Sequence, residues 1–236
     1  MYSVVETHCH TTASGHAYST VLECAAYARK YGLKGLAITD HGPSMPGAPH
    51  EWHFGNQSAF AGDIDGVMVY RGAEVNIMSY DGDLDLPEEM LKKLDWVIAS
   101  YHVPCLAPST VEDHTKGYLK VLLNPYVDVL GHSGNDDYVY DYERVVAEAG
   151  RLGKIIEINH HSPIGRPGSK ERCPIIAQFC KKYKVPVVVS TDAHFAAKVG
   201  IVDNAWNLLK EIDFPEELIL NMDFERFEQY LNNRVR

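Results

Sequence analysis

Residues 185–194 read Val185-Pro186-Val187-Val188-Val189-Ser190-Thr191-Asp192-Ala193-His194. An uninterrupted β-branched run suits a strand buried on both faces, and such strands belong to parallel sheets covered by helices. The run ends in a carboxylate and an imidazole two residues apart, Asp192 and His194, both of metal-binding type. Working outward, similar apolar runs occur at 3–7, 35–39, 67–75, 96–100, 127–130 and 155–159. Helical patterns alternate with them at 20–31, 87–93, 111–123, 142–152, 170–182, 205–212 and 224–232. The first carries Thr20 three residues before Glu23, a capping box, and stops at Gly32. Stretch 42–66 reads as a long loop with a short helix, and Tyr80-Asp81-Gly82 marks a small hairpin over 78–86. The expected fold is a single α/β unit, 1–236, built as a distorted TIM-like barrel.

The chemistry-bearing residues sit where that fold puts active sites. His8, His10, His16, His41, Glu74, His102, His132, Asp192 and His194 fall at or just past the C-terminal ends of the apolar runs. An open doubly wound sheet gathers ligands at one switch point, whereas here nearly every strand end contributes. His8 and His10 share a face of an extended strand, and Cys9 faces away. One histidine at a loop entrance is often a polar cap; a whole set on one rim is a cluster. The set exceeds what one tetrahedral ion takes and suits two or three, with Glu74 the natural bridge. Asp40 is expected to orient a ligand imidazole.

Composition narrows the class. A hydrophobic fraction of 45% and a charged fraction of 23% are ordinary for a globular chain. The net charge of -10 argues against a nucleic-acid surface. Bound divalent ions would concentrate positive charge in one pocket, so a phosphorylated substrate stays compatible. The cysteines are odd in number and form no CxxC pair, which favours free thiols in a reducing compartment. With no apolar span long enough for a bilayer and no leader pattern, the chain reads as cytoplasmic and as having no membrane partner.

The motifs resemble a known family. HxH at His8/His10, His16-Ala17-Tyr18-Ser19, Ile38-Thr39-Asp40-His41-Gly42-Pro43 and Ala48-Pro49-His50-Glu51-Trp52-His53-Phe54 come first. Arg71-Gly72-Ala73-Glu74, His102, Gly131-His132, Glu157-Ile158-Asn159 and Ser190-Thr191-Asp192-Ala193-His194 follow in order. Together they resemble the PHP (polymerase and histidinol phosphatase) superfamily, in particular its YcdX-type phosphatase branch. That resemblance implies a distorted (β/α)7 barrel holding three ions: one on His8, His10, Glu74 and Asp192, a second on Glu74, His102 and His132, a third on His16, His41 and His194. Zinc suits the imidazole-rich set best, with manganese or iron able to occupy it. The branch also implies a homo-oligomer. Glu6 stands where the motif usually opens with aspartate, Ser133 where proline is usual, and His160-His161 where Asn and Ser are usual.

The implied activity is a metal-dependent phosphomonoesterase using a hydroxide that bridges the cluster, with Glu74, His132 and Asp192 central to catalysis and a small phosphorylated substrate. Arg166 and a following helix N-terminus form an expected phosphate clamp, with His53 and Asn159 as further substrate contacts. His160 and His161 are candidate proton donors, one of which would face the site if the strand continued. His114 is expected at the surface. Three other readings use the same residues: a non-catalytic metal-stabilised module, a phosphodiesterase or exonuclease, and an amidohydrolase-like hydrolase. Against the last, no lysine sits at a strand end.

Overall fold

A computed structural model describes residues 3–234; residues 1, 2, 235 and 236 of the expected unit lie outside the described residues. The strands are β1 (Val5–Cys9), β2 (Gly35–Ile38), β3 (Gly62–Ile64), β4 (Val67–Asn76), β5 (Trp96–Ser100), β6 (Val129–Leu130), β7 (Ile155–Asn159) and β8 (Val187–Ser190). The helices are α1 (Val21–Lys30), α2 (Trp52–Gly55), α3 (Glu88–Leu91), α4 (Val111–Leu122), α5 (Tyr142–Arg151), α6 (Ser162–Gly165), α7 (Ser169–Tyr183), α8 (Asp203–Glu211) and α9 (Phe224–Asn233). Strands pair in parallel in the order β1-β2-β4-β5-β6-β7-β8, and β3 adds antiparallel to β4. The ends of the sheet meet beyond the last strand: His10 N donates to Ala193 O at 2.9 Å and Ala193 N to His8 O at 3.3 Å. The result is a nearly closed parallel barrel wrapped by helices.

Glu6 secures that closure. Its buried carboxylate accepts from His8 N (3.0 Å), Thr191 N (3.2 Å), Thr191 Oγ1 (2.6 Å) and Gly200 N (3.2 Å), stapling β1 to the turn after β8. Burial pushes its pKa up, and these donors offset part of that. Glu6 therefore serves the scaffold.

One apolar cluster draws Val5, Ala37, Tyr70, Trp96, Ile98, Val129, Ile155 and Val188 from all seven parallel strands, so it is the barrel interior. Phe227 of α9 plugs its lower end against Trp96, whose indole N–H donates to Thr7 O at 3.0 Å. Fully burying a branched aliphatic side chain contributes about 1.5–3 kcal/mol. Outside the strands, a larger cluster packs β4–β8 against α4, α5, α7 and α8.

Counting upward by twos from the interior residues reaches the expected ligands on most strands. Ala37 leads through Thr39 to His41, Tyr70 through Gly72 to Glu74, Ile98 through Ser100 to His102, and Val188 through Ser190 to Asp192. Two strands break this parity. From Val5 the count reaches Thr7 and then Cys9, yet Cys9 packs outside, with Cys24, Ala25 and Ala28 of α1. A register shift between Glu6 and Cys9 switches the face, so His8 and His10 turn inward. From Val129 the count passes Gly131 and misses His132, whose left-handed φ of 23° re-aims it.

Several boundaries differ from the sequence reading. β1 starts two residues later than the run at 3–7, because Val4 O is taken by Lys34 N and Val4 N by Asn221 O. Pro186 offers no N–H, and β8 begins at Val187. Loop 42–66 contains α2 as expected and also β3, whose turn into β4 uses Asp65 and Gly66 at φ 51° and 85°. That Asp-Gly pair was the available signal. The hairpin at 78–86 reduces to an isolated Ile77–Leu84 bridge with Gly82 at its tip. The Thr20–Glu23 capping box is formed.

Candidate metal centre

Every expected ligand reaches one rim of the barrel, and Glu74 lies at its middle. Glu74 Oε1 is 2.7 Å from His132 Nε2 and 3.4 Å from His102 Nε2. Its Oε2 is 2.7 Å from His41 Nδ1, 3.5 Å from His8 Nε2 and 3.6 Å from His10 Nε2. Asp192 Oδ1 stands 3.1 Å from His10 Nε2 and 3.6 Å from His8 Nε2. The exposed His16 completes the set, its Nε2 3.3 Å from His41 Nε2 and its ring 4.6 Å from that of His194.

Supporting contacts decide which ring nitrogens are free. His8 Nδ1 lies 2.6 Å from Glu157 Oε1, His102 Nδ1 2.7 Å from Asn76 Oδ1, and His194 Nδ1 3.0 Å from Asp192 O. Each of those partners is an acceptor, so each Nδ1 carries the hydrogen and, in a neutral ring, Nε2 presents a lone pair. His102 Nε2 points at the Glu74 carboxylate at 3.4 Å, where a cation between the two would be favourable. His102 Nε2, His41 Nδ1 and Glu74 Oε2 are all buried without a hydrogen bond. The last two approach to 2.7 Å yet lie off the line a hydrogen bond needs. Among the described residues, donors of His8/His10/Glu74, of His41/Glu74/His102 and of His10/His41/His194 each lie within 4.8 Å of one another. The donor set fits divalent cations.

Protonation agrees with that fit. Burial opposes ionisation of Glu74, but His102, His8 and His41 outweigh it and hold the carboxyl well below its usual range. Burial likewise opposes Asp192, which His8 and Arg166 hold well below. Burial, aided by His41, presses His10 down to about 3; burial, aided by Arg166, presses His132 to about 4. Both imidazoles are therefore neutral at pH 7 and could serve as metal donors. Burial also presses on His8, yet Glu157, Asp192 and Glu74 together hold it well above its usual value. Three carboxylates around one imidazole call for positive charge, which a bound ion could supply in place of a proton.

The residues the sequence reading missed orient the ligands. Glu157 holds the His8 ring with one oxygen and accepts His132 N at 2.6 Å with the other, so one buried carboxylate sets two ligands. Its spacing two residues before Asn159 on β7 was the signal. Asn76 is fixed in turn by Asp85 (Nδ2 to Oδ2, 2.5 Å). Asp40 reaches an imidazole through Ser14: it accepts from Thr11 and from Ser14 Oγ (2.8 Å), and Ser14 Oγ lies 3.5 Å from His10 Nδ1 and accepts from His41 N (3.1 Å). Glu157→Gln is expected to lower metal affinity about 10–100-fold with the fold intact, as measured by competition with a chromogenic chelator. Unchanged affinity would mean that packing alone orients His8 and His132.

The expected substrate residues separate. Arg166 lines a cavity of about 710 Å³ that also reaches Asp192, His194 and His16. Its Nη2 donates to Asp192 Oδ2 at 2.7 Å, while Nη1 is buried without a partner. The α7 N-terminus is no part of that clamp: Gly168 packs against Asp136 and Arg172, away from the cavity. Asn159 is buried and spends Oδ1 on His161 N and Ser162 N, with Nδ2 3.5 Å from Asp192. His53 lines a different hollow of about 1050 Å³, with Nε2 3.3 Å from Asp40 Oδ2. His160 and His161 both line the Arg166 cavity, because β7 ends at Asn159 and strand alternation no longer applies. His114 is buried, not at the surface: Nε2 accepts from Ser109 N (2.8 Å) and Nδ1 donates to Val139 O (2.8 Å).

Comparison with known proteins agrees with this architecture. The PHP domain family model matches residues 6–162. A protein named probable phosphatase from Acetivibrio thermocellus is 47% identical over 234 residues, covering 99% of this chain and 97% of that one. Another so named, from Caldanaerobacter subterraneus subsp. tengcongensis, is 49% identical over 233 residues, 98% of this chain and 92% of that one. The solved histidinol phosphate phosphatase of Lactococcus lactis, complexed with zinc, L-histidinol and phosphate, superposes with a TM-score of 0.66. It covers 90% of this chain and 95% of that chain at 18% identity, a likeness of fold.

Proposed function

The chain belongs to the PHP domain family, and we propose that it is a metal-dependent phosphomonoesterase. The observation that carries this reading is the convergence of five imidazoles on the buried Glu74 carboxylate beside a cavity lined by Arg166, whose buried Nη1 has no hydrogen-bond partner. The residues that would hold the ions are His8, His10, His16, His41, Glu74, His102, His132, Asp192 and His194. Three zinc ions suit a set this rich in imidazole, manganese or iron being the alternatives. Bound divalent ions supply Lewis acidity toward phosphoryl oxygens and lower the pKa of water.

The chain's own residues do the rest. Arg166 keeps Nη2 on Asp192 and offers Nη1 to a phosphoryl oxygen, a charge-assisted contact. Glu157 and Asn76 hold ligand rings in one orientation, so the site needs little rearrangement during reaction. His160 and His161, on the cavity wall, are the imidazoles available to protonate a leaving oxygen. Asn159 and His53 enter this proposal as supports of Asp192 and Asp40, respectively. Among the described residues no helix is long and apolar enough to cross a membrane, and the five cysteines are free. The unpaired cysteines support a reducing, cytoplasmic setting as part of this proposal, with a small phosphorylated substrate. A homo-oligomer is part of the same proposal, checked by light scattering.

The test is phosphate release from a panel of phosphomonoesters, including histidinol phosphate, a sugar phosphate, a nucleotide and a phosphotyrosine peptide, beside bis(4-nitrophenyl) phosphate. Turnover of monoesters well above the diester is expected. Preference for the diester would replace this reading with a phosphodiesterase. Silence on every ester, with metal bound, would leave the non-catalytic module.

A further inference from the structure

The floor of the Arg166 cavity holds the largely buried Arg166 and Asp192. Its mouth holds the exposed Tyr18, Ile164 and Phe195 together with the exposed His16, His161 and Lys198. Tyr18 is 74% exposed, Ile164 66% and Phe195 52%. Single exposed apolar side chains need no explanation, but here three large ones line one opening.

The backbone ties this mouth to the floor. Tyr18 lies two residues after His16, Phe195 directly follows His194, and Ile164 lies two residues before Arg166. Tyr18 N donates to His194 O at 2.9 Å, and Arg166 N donates to Ser162 O at 3.0 Å. Each apolar residue thus rides on the short segment that carries a charged or ligating one. A group held at Arg166 would have its remainder directed between Tyr18, Ile164 and Phe195. At about 710 Å³ the cavity is far larger than a phosphoryl group and falls in the range of small-molecule sites.

We propose that the substrate is a phosphomonoester whose organic part carries a flat apolar ring, seated between Tyr18, Ile164 and Phe195 while Arg166 takes the phosphoryl end. This rests on the phosphomonoesterase reading. Ring faces suit Tyr18 and Phe195 through stacked or edge-on contacts, and the β-branched Ile164 offers a flat apolar wall. A small polyol phosphate would leave this surface in water and gain nothing from it.

The test compares 2-phenylethyl phosphate with propyl phosphate on metal-loaded wild-type protein. Both release primary alcohols, so the chemical step is closely matched and the ring is the main difference. kcat/KM is expected to favour the ring-bearing ester by about tenfold or more, chiefly through KM. In the Tyr18→Ser/Phe195→Ser double variant that ratio should fall towards unity. Calorimetry provides a readout free of turnover: 3-phenylpropylphosphonate should bind wild type more tightly than butylphosphonate, and the double variant should lose the difference. Equal cleavage of both esters, or a preference that survives the double variant, overturns the ring pocket and leaves the phosphomonoesterase standing. No cleavage of either ester, with no difference between the phosphonates, overturns the ring pocket, and the monoester panel then decides the phosphomonoesterase reading.

Discussion

Purified Glu74→Ala is expected to release phosphate at least about 10²–10³-fold more slowly than wild type, with its far-ultraviolet spectrum unchanged. Glu74 is fully buried and meets His132, His102, His41, His8 and His10 through two oxygens. Among the described residues no other carboxylate approaches so many of these imidazoles, so its loss would remove the negative charge they share. His132→Ala should act in the same direction, since His132 makes the 2.7 Å contact to Oε1. The fold should survive because the strand ladder around Glu74 is made by backbone groups, with Glu74 N donating to Asp40 O. Glu74→Gln separates charge from shape: it keeps the volume and should still be inactive. Near-wild-type turnover by purified Glu74→Ala and His132→Ala would refute a cluster-based reaction.

Removing the metals should cost stability as well as activity. Cations that bind only the folded chain stabilise it by RT ln(1 + [L]/Kd), about 4 kcal/mol for one site at a thousandfold excess over Kd. For a domain of this size that corresponds to a Tm change of roughly 8–16 °C. The physical source is on the rim. Glu74, Asp192 and Glu157 crowd around His8, and the free Nε2 of His102 faces a carboxylate. Chelator-treated protein is expected to melt earlier and to release no phosphate, with both recovered on adding Zn²⁺ or Mn²⁺. The cation that restores the larger share of activity at equal occupancy identifies the preferred metal. Superimposable melting curves before and after stripping, with no metal taken up, would mean that the rim holds no ion.

Much of this molecule was legible in the sequence because local rules govern it. Buried parallel strands favour largely apolar runs, and those at 96–100 and 155–159 match β5 and β7 residue for residue. The capping box at Thr20 and Glu23 is a local exchange of hydrogen bonds and formed as expected. Arg166 lines the cavity, whereas the helix end read as its partner in a phosphate clamp does not. His114 looked like a surface residue because its partners, Ser109 N and the distant Val139 O, are backbone groups that carry no residue-type signal. β3 was overlooked because a three-residue edge strand has too few positions to show a period.

By itself the sequence determined the inventory: which donors exist, that they close successive strands, and that they share one end of a barrel. Chain direction suffices for this, since parallel strands put all their C-terminal ends together. Only the tertiary structure decided which way the side chains at those ends point. His8 and His10 face inward because the β1 register shifts between Glu6 and Cys9, and His132 does so because its backbone is left-handed. A register is a relation between two strands, and a left-handed residue persists only where its surroundings over-determine it. Glu6 bound to Thr191 and Gly200, and Glu157 bound to His8 and His132, are parts of that surrounding frame, and each joins residues far apart in the chain.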